Sequence, residues 1–339
     1  IAYNAAAAVT GYSLEANYED LFSSPEAHKS AESIWPVMFK DGQRGGFNPT
    51  EKNGPDGTYY GATEAFAPIW GMRSGLYPTQ DLVDAYLMKD EATGKYMNWW
   101  ETSQMQALGI TMGADGEITG ETADYRKMFE NRDKRFYATV TYDGSYMGPK
   151  EEMYLIQTWV DDTATDPNTK LCPTLKYSAL HAGMRTQDNV ATVPVNRGSA
   201  QTITGYYSRK YSQFSFNTDG TLNKTQRTTC YHNIRYAEVL LNKAEAAIKL
   251  GGKDAEAKSL INQIRNRAGI GNYEGSNLME ELKTQRRLEF AFECPGHRYF
   301  DLLRWSEAAH KSTIDELNKP SRGLWITRKG IESDKVELN

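Results

Sequence analysis

The sequence predicts a mainly α-helical fold: a helical-repeat scaffold with a large irregular, loop-rich region and a few short strands. Three observations predict it. Between Tyr231 and Trp305 apolar residues recur at helical spacing among Ala, Arg and Glu, and small residues let helices approach closely. Upstream, residues 41–63 cluster Gly, Asn, Pro and Asp, and residues 161–229 are polar and turn-rich. A short run, Phe136-Tyr-Ala-Thr-Val-Thr-Tyr142, has the β-branched and aromatic content of a strand.

At the start, Ile1-Ala-Tyr-Asn-Ala-Ala-Ala-Ala-Val-Thr10 reads as the end of a helix already under way. No cap, initiator Met, signal peptide or lipid-bearing Cys precedes it. The chain is therefore read as the C-terminal portion of a longer protein, with residues 1–30 ending a helical-repeat unit. Residues 31–229 form the loop-rich region, and a loop region of that length is either functional or disordered. Within it, a Gly-rich stretch ends at Tyr59 and Tyr60, and Phe66 to Gly75 carries Trp70 and Arg73. Tyr77 then precedes a short helix from Thr79 to Leu87, and Trp99 and Trp100 lie in a polar stretch from Gly94 to Ser103.

Residues 230–318 hold the helices. Ile234, Ala237, Leu240, Leu241, Ala244 and Ile248 make one apolar stripe, closed by Gly251-Gly252 where a left-handed cap is wanted. Asp254 is the expected N-cap of the next helix, whose stripe is Ala257, Leu260, Ile261 and Ile264 before Gly269. Two such helices joined by a short turn have the size of a tetratricopeptide unit, roughly 34 residues. A third helix is expected from about Ser276 to Glu293, broken by Cys294-Pro295-Gly296, and a last one carries Tyr299 to Trp305. Residues 319–339 are read as a tail packing on this scaffold.

These segments closely resemble the C-terminal signature of the SusD/RagB family. The resemblance lies in Arg235-Tyr-Ala-Glu-Val-Leu-Leu-Asn-Lys-Ala-Glu-Ala247, Leu260-Ile-Asn-Gln-Ile-Arg-Asn-Arg-Ala-Gly269, Arg286-Arg-Leu-Glu-Phe-Ala-Phe-Glu293 and His297-Arg-Tyr-Phe-Asp-Leu-Leu-Arg-Trp305. Pro78 to Tyr86 and Asn131 to Phe136 fit the same pattern, while Cys294-Pro295 and Lys134 depart from it. The resemblance implies a non-enzymatic lipoprotein at the outer-membrane surface of Bacteroidetes-type bacteria. Such a protein captures oligosaccharides, or peptides in some members, and caps a SusC-like TonB-dependent transporter. Its lipid anchor would lie at an N-terminus this chain lacks.

Composition and motifs set limits. A formal charge of −5 gives no nucleic-acid footprint, and a mean hydropathy of −0.66 gives no membrane span. Three cysteines, Cys172, Cys230 and Cys294, form neither a disulfide framework nor a metal motif. Gly42-Gln-Arg-Gly45-Gly46 lacks the Lys-Ser/Thr ending of a phosphate loop. Asp115-Gly-Glu117 falls short of a calcium loop, so no cofactor is indicated, although an irregular structural calcium site stays open. Glu289 and Glu293 share a helix face, as the two carboxylates of a glycosidase could. Arg286, Arg287 and Arg298 crowd them, favour the ionised forms and disfavour a proton donor, so an ion-pair network is the stronger reading. Arg298 is the expected partner of Glu289 or Glu293.

The aromatics are the ligand candidates. There are 21 Tyr and 7 Trp, more than a bland helical repeat needs. Adjacent residues of an extended segment face opposite ways, so Trp99 and Trp100 cannot both point inward from one. At least one is assigned to the ligand site, where an indole would stack on the C–H face of a sugar ring. Trp70, Arg73, Tyr59, Tyr60 and Tyr77 are weaker candidates.

Overall fold

A computed structural model describes residues 1–38, 77–147, 204–211, 230–293, 296–328 and 336–338, and the backbone of strands at 154–155, 160–161, 175–177 and 191–193. The chain begins with α1 (Ala2–Ala7), α2 (Asp20–Ser23) and β1 (Ser33–Val37). It continues through α3 (Gln80–Ala85), β2 (Met88–Lys89), β3 (Tyr96–Met97), α4 (Ser103–Ala107), β4 (Thr111–Met112) and β5 (Ile118–Glu121). Next come α5 (Lys134–Thr139), β6 (Val140–Thr141), β7 (Tyr146–Met147), β8 (Tyr154–Leu155), β9 (Val160–Asp161), β10 (Leu175–Tyr177), β11 (Ala191–Val193) and β12 (Tyr207–Ser208). The last third holds β13 (Tyr231–Arg235), α6 (Tyr236–Leu250), α7 (Asp254–Ala268), α8 (Leu278–Glu289), α9 (His297–Trp305), α10 (Lys311–Leu317), β14 (Ile326–Arg328) and β15 (Val336–Leu338).

Helices α6 and α7 form the expected hairpin. Ala237, Leu240, Leu241 and Ala244 of α6 pack with Leu260, Ile261 and Ile264 of α7, and Leu282 of α8 closes the cluster. Gly251 and Gly252, with φ of +73° and +70°, make the reversal in a region of backbone space that favours glycine. Gly269 at φ +80° ends α7, and the Ile270 N–H donates back to the Arg265 carbonyl at 3.1 Å. Three boundaries differ from expectation. Asp254 is the first helical residue rather than the cap, a position where its charge still favours the helix N-terminus. Ile234 lies in β13, which pairs antiparallel with β1. Helix α8 stops at Glu289, and Phe292 then takes a φ of +60° that no helix continues through.

The run from Phe136 to Tyr142 is a larger correction. It is helical to Thr139, and only Val140 and Thr141 form a strand, β6, against β12. A local cap overrides β propensity here: the Asp133 carboxylate accepts the Arg135 backbone N–H at 2.9 Å and starts α5.

The second core lies in the loop-rich half. Val83, Tyr86, Met88, Trp99, Met128 and Phe136 are buried together with Leu324, Ile326, Val336 and Leu338 from the tail. The tail strands β14 and β15 sit in a five-stranded sheet ordered β4-β5-β15-β14-β9, of which β14–β9 is a parallel pair. Gly205 permits the tail's close approach: a Cβ there would stand 2.5 Å from the Leu324 carbonyl oxygen.

Candidate ligand-binding site

The two adjacent indoles are separated by the fold. They sit in one turn of 3-10 helix rather than an extended segment, so strand alternation does not govern them. Trp99 is fully buried, and its indole N–H donates to Asp84 Oδ1 at 2.9 Å. That carboxylate also accepts from the Gln80 amide at 2.6 Å and from Arg322 at 2.9 Å, while the Tyr206 hydroxyl donates to Gln80 Oε1 at 2.7 Å. Trp99 is therefore core, and its assignment to a ligand site is corrected: a ring with no exposed face stacks on no sugar. Trp100 is half-buried, edge-to-face with Trp99 at 5.6 Å between ring centres, and stays available at the surface.

The carboxylates that could suggest catalysis are locked instead in a buried, charge-balanced network. Arg235 donates to Glu32 Oε1 at 2.5 Å, to Glu289 Oε1 at 2.7 Å and to both Glu293 oxygens at 2.7 and 2.8 Å. Arg135 reaches Glu289 Oε2 at 3.2 Å and Asp133 Oδ2 at 2.6 Å, Arg267 pairs with Glu32 and Glu289, and Lys210 donates to Glu293 Oε1 at 2.7 Å. Four cations thus face four carboxylates, all nearly out of reach of water. Burial alone would raise the Glu289 pKa; Arg267, Arg235 and Arg135 outweigh it and hold the group well below the usual carboxylate range. Burial in turn presses Lys210 down to about 8, against the pull of Glu293. Tyr18 donates its hydroxyl to the Glu289 carbonyl, which secures the helix end.

The stretch from Asn131 to Phe136 is structural in the same way. Arg132 has no carboxylate partner among the described residues but donates to the carbonyls of Val83, Tyr86 and Met128 at 2.6 to 3.1 Å, and so ties the end of α3 to α5. Arg298 departs from expectation. It pairs with Glu316 at 3.0 Å near the surface, not with Glu289 or Glu293. Arg286 supplies the contact between the last helices, donating to Asp301 Oδ2 at 2.8 Å.

The concavity of greatest chemical interest is a groove of about 510 Å³ between the start of α3 and the α8–α9 junction. Tyr77, Phe290, Phe292 and Tyr299 contribute aromatic surface, and Arg287, His297 and Arg298 contribute polar groups. Glu293 belongs both to the groove wall and to the buried network. Of the sequence candidates, Tyr77 lies in this groove, edge-on to Tyr207 at 6.3 Å between ring centres. Tyr59, Tyr60, Trp70 and Arg73 lie outside the described residues. Arg287 lines the groove rather than joining the ion-pair network. Successive helical residues point about 100° apart, a signal by which Arg286 facing inward turns Arg287 toward the groove.

Other features narrow the chemistry. Among the described residues no group of three or more His, Cys, Asp or Glu is placed to hold a metal ion. The Asp115 carboxylate accepts the Glu117 N–H at 3.1 Å, closing its own turn. No described helix is long and apolar enough to cross a membrane.

Comparison with known proteins fits this geometry. SusD-like protein P2 of Formosa agariphila is 30% identical over 156 residues, covering 43% of this chain and 26% of its own length. SusD-like protein P38 of the same strain is 31% identical over 172 residues, covering 40% of this chain and 33% of its own. A SusD-like protein of Bacteroides fragilis superposes with a TM-score of 0.58 at 21% identity, covering 99% of this chain and 55% of that one. A second from that species, a SusD-like carbohydrate binding protein, gives 0.58 at 20% identity, with 92% and 48% covered. The chain thus spans about half the length of these solved structures, and the curated relatives match over a third or less of theirs. The SusD family model matches residues 31–332, most of the chain, and the chain belongs to the SusD family.

Proposed function

We propose that this chain is the ligand-holding part of a non-catalytic surface protein that captures oligosaccharide for a partner TonB-dependent outer-membrane transporter. Membership of the SusD family over residues 31–332 carries this reading. The carbohydrate-binding relative from Bacteroides fragilis, which shares the fold, is consistent with it. The groove at the α8–α9 junction supports it further, because aromatic faces beside a few polar groups suit a sugar ring. A binding role rather than hydrolysis is supported by Glu289 and Glu293, whose arginine and lysine partners keep them ionised and which are fully engaged. Anchorage at the outer membrane by a lipid at the N-terminus of the whole protein belongs to the same proposal.

The test is a calorimetric screen of the chain against neutral and acidic oligosaccharides and against short peptides. Reducing ends are then measured after prolonged incubation with the best saccharide. Saccharide binding without new reducing ends is expected. Binding of peptides alone, or reducing-end release abolished by Glu289→Gln, would overturn the proposal.

A further inference from the structure

Among the described residues, the lysine, arginine and carboxylate side chains lining the groove are paired, with one exception. Arg286 donates to Asp301 at 2.8 Å, Asp301 also holds Arg304 at 2.8 Å, Glu293 is held by Arg235 and Lys210, and Arg298 reaches Glu316 at 3.0 Å. Arg287 has neither an ion pair nor a hydrogen bond with any described residue, although its side chain is half-buried in the wall. Burial first, then the neighbouring Arg298 guanidinium, lower its pKa from the ordinary value, against a weaker pull from the Glu316 and Asp81 carboxylates, neither of which pairs with it directly. The first turn of α9 borders the same space and contains no carboxylate, and Asp301 in its second turn is taken by Arg286 and Arg304. A half-buried cation is costly unless it is paired. A folded chain that leaves a guanidinium in this state between aromatic walls is arranged to receive an anion from outside.

We propose that the groove binds the oxyanion of an acidic sugar, a uronate carboxylate or a sulfate ester, with Arg287 as its primary ligand. This rests on the glycan-binding reading above and specifies the class of glycan. The guanidinium fork suits a carboxylate or sulfate pair of oxygens, and Arg298 at the rim adds a second positive charge. Phe292 and Tyr299 in the lining supply aromatic surface for the C–H side of the sugar ring that carries the anion. A saccharide is favoured over an acidic peptide because four aromatic side chains stand in the wall and, among the lining residues, no unpaired carboxylate or amide stands ready to read a peptide backbone.

The experiment is calorimetry at low salt on the 339-residue chain with four probes: a short oligogalacturonate, its carboxyl-reduced counterpart, a sulfated galactan oligosaccharide and an acidic peptide. Tight binding of the oligogalacturonate or the sulfated probe is expected, and the stronger of the two identifies the anion. Arg287→Gln is expected to weaken that probe roughly ten- to hundredfold, the range for a hydrogen bond to a charged group, with the carboxyl-reduced sugar unaffected. Arg287→Lys, which keeps the charge and loses the fork, should fall between Arg287→Gln and the wild type. If the acidic and reduced sugars bind alike and Arg287→Gln changes neither, the inference falls while the glycan reading stands. If only the peptide binds, both fall, and if no probe binds, the inference falls. Should Arg287→Gln fail to fold, the wild-type salt dependence decides, because equal slopes for acidic and reduced sugars overturn the proposal.

Discussion

Arg235→Ala is the sharpest perturbation of the scaffold. The guanidinium makes four hydrogen bonds to the side chains of Glu32, Glu289 and Glu293, and a fifth to the Glu289 carbonyl at 3.0 Å. Its removal leaves carboxylates in the interior with one cation fewer, and Lys210, Arg135 and Arg267 are already engaged. Removing one partner from a buried ion pair costs about 3–5 kcal/mol, mostly through the charge left unpaired. With an unfolding entropy near 2.1 cal/mol/K per residue, a chain of 339 residues loses about 4–7 °C in melting temperature. Differential scanning calorimetry measures this directly. Arg298→Ala is the internal control, because Arg298 and Glu316 are both substantially exposed and such a pair contributes at most about 1 kcal/mol. A shift for Arg235→Ala no larger than that for Arg298→Ala would refute the assignment of the buried network as the keystone of the scaffold.

Three further outcomes are expected. Trp99→Ala should cost about 3–5 kcal/mol for emptying a buried indole site, whereas Trp100→Ala should melt close to wild type; equal melts for the two would contradict the observed burial. Because Glu289 and Glu293 have folded-state pKa values below the ordinary 4.5, their stabilisation is present above that pH and is lost as pH falls through and below it. Melting temperature should therefore be flat near neutrality and drop below about pH 4.5, less steeply in Glu289→Gln, and parallel profiles would count against it. Deleting residues 319–339 removes Leu324, Ile326, Val336 and Leu338 from the core along with the Arg322 ion pairs to Asp81 and Asp84, so a loss of cooperative unfolding by calorimetry is expected. A truncated chain that melts like the full one would show the tail to be dispensable.

The helical hairpin was legible in the sequence because its signals are local: apolar spacing in α6 and α7, and glycines at the turns. The partners of Glu289 were not. They are Arg135, Arg235 and Arg267, which lie 154, 54 and 22 residues away along the chain, and no local pattern reports such pairing. Nearness along the chain suggested Arg298, yet that side chain, in the first turn of α9, pairs with Glu316 near the surface. Trp99 misled for a similar reason. Polar neighbours suggested a surface loop, but Asp84, 15 residues away, accepts its indole N–H, and Arg322 holds that carboxylate in turn. At Phe136 to Tyr142 two local signals competed, and the Asp133 cap outweighed the β-branched run.

A network of this kind is not an economical way to stabilise a fold, since well-packed apolar residues of similar volume often do as well or better. What it supplies is geometric commitment. Each guanidinium accepts few arrangements of its carboxylates, so β13, α5, α7 and the end of α8 are held in one mutual register. Glu293 carries that register outward. Held by Arg235 and Lys210 on its buried side, it also forms part of the groove wall a few residues from Phe290 and Phe292. Arg287 sits on the same helix as Arg286, whose pairing with Asp301 fixes α8 against α9. The groove is thus positioned from inside by charges paired with one another. This separates the two sets of arginines by role: those buried among carboxylates set the shape, and Arg287, which makes no ion pair with a described residue, is the one placed to read what enters.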